Sequence, residues 1–257
     1  GDIAEHGVLL GDGNVTIDKL DVRNSPIQNI KQLSGEHVIT NVDSRLAIAD
    51  GVEQIGGSLS GISLISDFNG GLGYKGAKNL IDLNLTFMKV RTNSNSGAGV
   101  DATSVNFNVD SWESKSNVAG VVNVTLGSPA ERIGKITTAS GGVDTAGGLL
   151  VNGGTSQFDF SHDSTNEGYV AGNQNAFYLN GGSNRRCTGL NIKGSSSQAV
   201  RIVSTIESSI DHLRIPDGAG SGLVVAGLVN FSISNSVNTL STNAAGQVVE
   251  FNNVGIT

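Results

Sequence analysis

Along much of the chain an apolar residue stands at every second place, with Asn, Asp, Ser or Thr between. NVTIDKLDV (14–22), GISLIS (61–66), NLIDLNLTF (79–87), SVNFNV (104–109) and GVVNVTL (120–126) all follow this rule. After an interruption, CTGLNIKG (187–194), DHLRIPD (211–217) and VNFSISN (229–235) resume it. Period-two alternation gives a strand one apolar and one polar side, so each segment is predicted to be a strand. Helical spacing is rare, and its best candidates, SPIQNIKQL (25–33) and SRLAIADGVEQI (44–55), are short.

The strands recur. Taking Leu83, Phe107 and Val124 as equivalent gives steps of 24 and 17 residues, and Leu190, Leu213 and Ile233 give 23 and 20. A second series, AVRIV (199–203), GLVVAG (222–227) and QVVEF (247–251), runs in step with the latter. A unit of roughly 20 residues with two strands and Gly/Asn/Ser corners is the mark of a solenoid. Leucine-rich repeats have this period, but their Leu-x-x-Leu-x-Leu frame is absent. A β-sandwich also has many short strands, yet does not naturally hold two series in phase. The inward rungs would be Ile81/Leu83/Leu85, Val105/Phe107/Val109 and Val122/Val124/Leu126, followed by Leu190/Ile192, Leu213/Ile215 and Phe231/Ile233. Residues 1–60 read as a less regular N-terminal entry, and 61–257 as the solenoid with a loop-rich interruption near 138–185.

Composition agrees. Among 257 residues there are 36 Gly and three Pro, which suits tight turns that need positive φ. The net charge of −7, with Arg185-Arg186 as the longest basic run, argues against nucleic acid and anionic membrane as partners. A single cysteine, Cys187, excludes an intrachain disulfide and any multi-Cys metal site, and its strand-like setting suggests a buried thiol. No run approaches the roughly 18 apolar residues of a membrane-spanning helix. The chain opens at Gly1 without Met and stops straight after a strand-like run, so a processed piece of a longer protein is expected.

The run TGLNIKGSSSQAVRIVSTIESSIDHLRIPDGAGSGLVVAGLVNFSISNS (188–236) resembles right-handed parallel β-helix proteins of the pectate-lyase-like type. The likeness covers about 50 residues well and most of 60–255 more loosely, and it implies an all-β, single-stranded right-handed parallel β-helix of roughly ten or more coils. Within that superfamily the Asn-, Ser- and Gly-rich, Pro-poor, acidic character looks most like bacteriophage tailspikes. That implies a homotrimer, located in the virion or outside the cell, that binds bacterial surface polysaccharide and in many cases cleaves it. Pectinase signatures such as Gly-His-Gly are missing. A non-enzymatic structural or adhesive β-helix is the alternative, and a polysaccharide lyase of other origin a third. No cofactor is implied.

Outward positions carry the candidate chemistry. Asn106 and Asn108 face out beside Asp110, and Trp112 stands between Asp110 and Glu113 at what reads as a corner. An indole can stack on a pyranose, and two carboxyls about 5–5.5 Å or about 6.5–9.5 Å apart suit retaining or inverting glycoside hydrolysis. Asp82 is a further partner: level with Asn106, it lies about 14 Å from Asp110, and a two-residue slide brings that to about 8 Å. A second cluster lies in the irregular stretch, with Asp159, Asp163 and Glu167 as acids and Tyr178, Arg185 and Arg186 as substrate contacts. For each cluster the competing reading is structural: solvated corner charges, a Trp covering the coil, and Asn ladders that stabilise turns.

Overall fold

The structure, a computed structural model, describes residues 6–76, 83–103, 105–115 and 117, and beyond them the backbones of further strands with a few side chains. In chain order the first strands are β1 (His6–Leu10), β2 (Asn14–Arg23), β3 (Gln28–Gln32), β4 (Glu36–Arg45), β5 (Val52–Gln54), β6 (Ser58–Asp67), β7 (Tyr74–Gly76), β8 (Leu83–Arg91), β9 (Val100–Thr103) and β10 (Val105–Lys115). They continue as β11 (Val122–Thr125), β12 (Glu131–Ala139), β13 (Leu149–Asn152), β14 (Phe158–Ser161), β15 (Val170–Gly172), β16 (Asn175–Asn180) and β17 (Arg185–Thr188). The short odd-numbered strands β1 to β13 stack in sequence in one sheet, and the long even-numbered strands β2 to β14 stack in another. Every pairing among the described strands is parallel, so the chain is an all-β parallel solenoid, with two sheet strands per turn.

The registers give the pitch. Asn14 lies beside Glu36 and Glu36 beside Ser58, a turn of 22 residues; the next, Ser58 to Asn84, takes 26. Leu83 pairs with Val105 and Leu85 with Phe107, so the expected match of Leu83 to Phe107 is two residues out. A two-residue slip leaves each side chain on its own face, whereas a one-residue slip would have reversed them. Val122 and Val124 are not the next rung: β11 belongs to the other sheet, and Phe107 pairs with Glu131 on β12. Seventeen residues cannot complete a turn of this length. The series 199–203, 222–227 and 247–251 does stack, with Val200 beside Leu223 and Leu223 beside Val249.

The windows with helical spacing hold strands instead. SPIQNIKQL contains β3, and SRLAIADGVEQI runs from the end of β4 through a turn into β5. Segments this short are marginal as helices, and here the neighbouring turns supply ladder partners for Ile30 and Val52.

Each long strand bends once. In β4, β6, β8 and β10 the alternation holds as far as Ile39, Gly61, Phe87 and Val109. Two successive residues then face outward: Thr40-Asn41, Ile62-Ser63, Met88-Lys89 and Asp110-Ser111. Beyond this corner the phase is reversed, and Val42, Leu64, Val90 and Trp112 point inward. The first halves of the long strands therefore form one face, the second halves another, and the short strands a third. Inside, Ile39, Gly61, Phe87 and Val109 stack in register. Gly61 makes room for the ring above it, because a Cβ there would lie 2.7 Å from Phe87 Cε1 and 2.0 Å from the Ile39 carbonyl.

One inner corner is polar. Ser66, Thr92 and Ser114 are buried behind the second face, followed at the turn by buried Asn69, Asn95 and Asn117. Asn69 and Asn95 each donate backbone and side-chain N–H groups at 3.0 Å to the carboxamide oxygen one turn on, Asn95 Oδ1 and Asn117 Oδ1. Asn95 Nδ2 also donates to the Ser66 carbonyl (3.1 Å), and Asn117 Nδ2 to the Thr92 carbonyl (2.9 Å). Buried polar groups of this kind persist only when paired, and this ladder pairs them along the axis.

Candidate functional site

The first face, over β6, β8 and β10, carries two outward columns of neutral hydrogen-bonding side chains: Ser58, Asn84 and Asn106, then Ser60, Thr86 and Asn108. Strand geometry sets them about 4.8 Å apart from turn to turn and about 6.6 Å apart along each strand. The first column is internally bonded, with Asn106 Nδ2 donating to Asn84 Oδ1 (3.0 Å) and Asn84 Nδ2 to Ser58 Oγ (3.2 Å). These bonds orient the amides before any ligand arrives. Along one edge of the face, the corner exposes Ile62 and Met88.

The other two faces are charged. On the short strands Lys31, Glu53 and Lys75 alternate in one column, with Glu53 bonded to Lys31 (3.4 Å) and Lys75 (3.0 Å). On the second face Arg91 donates to Asp67 at 2.8 and 2.5 Å, and Lys115 and Asn93 donate to Glu113, both at 2.8 Å.

The predicted site residues therefore separate. Asn106 and Asn108 face outward on the first face, and Asp110 is exposed at its corner. Trp112 is 1% exposed, stacked on Val90 in the core column, and its indole N–H donates to Thr92 Oγ1 at 3.2 Å. Its ring does not lie where a pyranose could stack on it. The corner is the physical reason: the reversed phase turns Trp112 inward and Glu113 onto the second face. Asp110 and Glu113 thus lie on opposite sides of the bend, their Cα atoms about 10 Å apart by strand rise.

Partial burial works against ionisation of Glu113, but the hydrogen bonds from Lys115 and Asn93 and the charges of Lys115 and Arg91 outweigh it and hold its pKa below the ordinary 4.5. A carboxyl held ionised in this way is not poised as a general acid. It is a stabilising ion pair, with a defined pH signature. Because the folded-state pKa is the lower one, its contribution is present above the ordinary Glu range and disappears as pH falls through the folded value. Glu113→Gln is expected to melt below wild type at pH 7 and to converge with it under acid. Thermal melts across pH check this, and a gap that persists in acid contradicts it.

Asp82, Asp163 and Glu167 lie outside the described residues. Asp159 lies on β14 in register with Arg132 on one side and Arg186 on the other, and Arg185 pairs with Phe158. The fold thus places Asp159 and Arg186 on neighbouring strands. Tyr178 is on β16 in the other sheet, between Leu150 and Arg201. Cys187 holds a register position between Phe160 and Ile210, in the column that continues Val109.

Sequence reasoning missed Ser58 and Ser60, because it began that strand at Gly61. The alternation S-L-S in 58–60 was the available signal. It also missed the buried Asn column, although Asn69, Asn95 and Asn117 follow successive strands at spacings of 26 and 22. Comparison with protein-family models, curated proteins and solved structures returned no match.

Proposed function

We propose that this chain is a tailspike-like element, in a virion or another extracellular assembly, that binds an extended bacterial surface polysaccharide along the first face of the solenoid. The observation that supports it is the field Ser58/Ser60, Asn84/Thr86 and Asn106/Asn108, six neutral donor–acceptor side chains over three turns, its first column pre-oriented by internal hydrogen bonds and its edge bordered by Ile62 and Met88. Hydroxyls suit the amide columns, and the C–H surface of a sugar ring suits the apolar edge. A field without formal charge favours a neutral glycan over a uronate-rich one. An extended glycan lying along the axis meets similar chemistry on the three successive turns of β6, β8 and β10.

Binding without cleavage at this face is the stronger reading, because Trp112 is core and Glu113 is an ion-pair member. Calorimetric titration with a panel of capsule and lipopolysaccharide glycans tests it, alongside assays for new reducing ends and for the ultraviolet absorbance of unsaturated products. Thr86→Ala with Asn108→Ala is expected to weaken binding of the matching glycan about tenfold, equivalent to about 1.4 kcal/mol, with the β fold retained by circular dichroism. Raising salt is expected to leave binding intact, since no charge pairing is involved. Absence of binding across the panel sinks the proposal.

A further inference from the structure

The first face departs once from its own pattern. On β2, β4, β6, β8 and β10 its outward pairs are Asn14/Thr16, Glu36/Val38, Ser58/Ser60, Asn84/Thr86 and Asn106/Asn108, stacked in register. Four of these pairs are neutral donor–acceptor side chains. The pair on β4 instead sets a carboxylate beside an isopropyl group, next in the stack to Ser58 and Ser60. Both side chains are exposed, Val38 to 46%. Packing within the chain accounts for neither. The carboxylates of Glu53, Asp67 and Glu113 are all ion-paired, whereas that of Glu36 has no partner among the described residues. None of the ten positions named above is Lys or Arg. Val38 adds nothing to the core, which is filled on this strand by its buried neighbours His37 and Ile39.

An ionised carboxylate only accepts hydrogen bonds, and it holds an N–H more strongly than a neutral acceptor does. Val38 offers apolar contact alone, its Cα about 6.6 Å from that of Glu36 along the strand. The pair therefore suits a ligand group with one N–H donor and an apolar end beside it. A secondary amide has this form. It is planar and trans, so its N–H points away from the carbonyl and lies on the same edge as the acyl methyl. A sugar hydroxyl satisfies Glu36 but sets a polar group against Val38, and an ammonium pairs with Glu36 and makes no use of Val38. A uronate is repelled. We propose that Glu36 and Val38 form a subsite for an N-acylated amino sugar, with Glu36 accepting the acetamido N–H and Val38 contacting the methyl. The subsite rests on the reading of the first face as the glycan-binding surface, and it names a sugar class which that glycan contains. An acetamido sugar is uncharged, in keeping with the neutral columns beyond it.

Oligosaccharides that share one backbone and differ in one substituent test this: N-acetylated chitooligosaccharides, their deacetylated ammonium forms, and cellooligosaccharides with a hydroxyl at the same carbon. In calorimetric titrations of the full chain the N-acetylated form is expected to bind about tenfold tighter than the hydroxyl form, the worth of one hydrogen bond to a charged group. Salt is expected to leave that preference unchanged. Glu36→Ala is expected to bring the two affinities together. Val38→Thr, which keeps a β-branched residue on the strand, is expected to narrow the gap about threefold through lost apolar contact. Circular dichroism checks that both variants keep the β fold. Equal wild-type affinities for the N-acetylated and hydroxyl forms overturn the subsite and leave glycan binding by the first face standing. Tightest binding of the ammonium form, weakened by salt, also overturns it, since Glu36 is then a counter-ion. So does an acetamido preference that either variant leaves intact. If none of the three binds, the subsite is overturned, and the capsule and lipopolysaccharide panel decides separately whether the face binds glycan at all.

Discussion

Asn95→Ala is expected to lower stability by about 2–6 kcal/mol, because two buried groups lose their partner at about 1–3 kcal/mol each. The Asn69 backbone N–H loses its acceptor at 3.0 Å, and the Ser66 carbonyl loses its donor at 3.1 Å. Neither can turn to water, since both residues are buried. Asn95→Asp sharpens the experiment. A carboxylate still accepts from Asn69 but presents an acceptor to Ser66 O and Asn117 Oδ1, where the amide had donated. That variant is expected to be unstable at neutral pH and to recover partly in acid, where the carboxylic acid regains a donor. Urea melts at two pH values measure both effects. An Asn95→Ala loss below about 1 kcal/mol would mean that the ladder is not a structural spine.

Trp112→Ala is expected to cost about 3–5 kcal/mol, the range for removing a buried large aromatic. The residue lies in a column with Val42, Leu64 and Val90, so its loss opens a cavity that only aliphatic neighbours can close. Trp112→Phe keeps most of the volume and deletes the bond to Thr92 Oγ1, for an expected loss of about 1 kcal/mol. Since this is the chain's single tryptophan, its emission reports directly: blue-shifted when folded, red-shifted on denaturation. Unchanged glycan affinity in Trp112→Phe is the expected companion result. A loss of affinity with little loss of stability would return Trp112 to the sugar-contacting role that its sequence neighbours suggest.

These two residues show where local reading stops. Val105 and Val109 are buried and Asn108 exposed, as strict alternation requires. Three residues further on the same rule fails, because Asp110 and Ser111 both face outward at the corner. Ile62 and Leu64 make the point again: two residues apart in an apparently regular strand, one is exposed and the other fully buried. Asn is equally ambiguous in one dimension. Asn108 faces water and Asn95 is buried, and nothing adjacent to either in the chain distinguishes them.

Short strands in two series, with apolar rungs, polar outer columns and glycine-rich turns, can be read directly from the order of residues in this chain. Alternation and turn chemistry are local, and they leave a record in consecutive residues. Where each long strand bends, which register joins one turn to the next and which asparagines are buried are settled by packing between turns. Those choices depend on the turns above and below, where a ring needs Gly61 beneath it and a carboxamide needs another at the same height. The candidate site was half legible for that reason: its amide columns follow from alternation, whereas the fate of Trp112 and Glu113 was set by a corner that exists only once the turns are stacked.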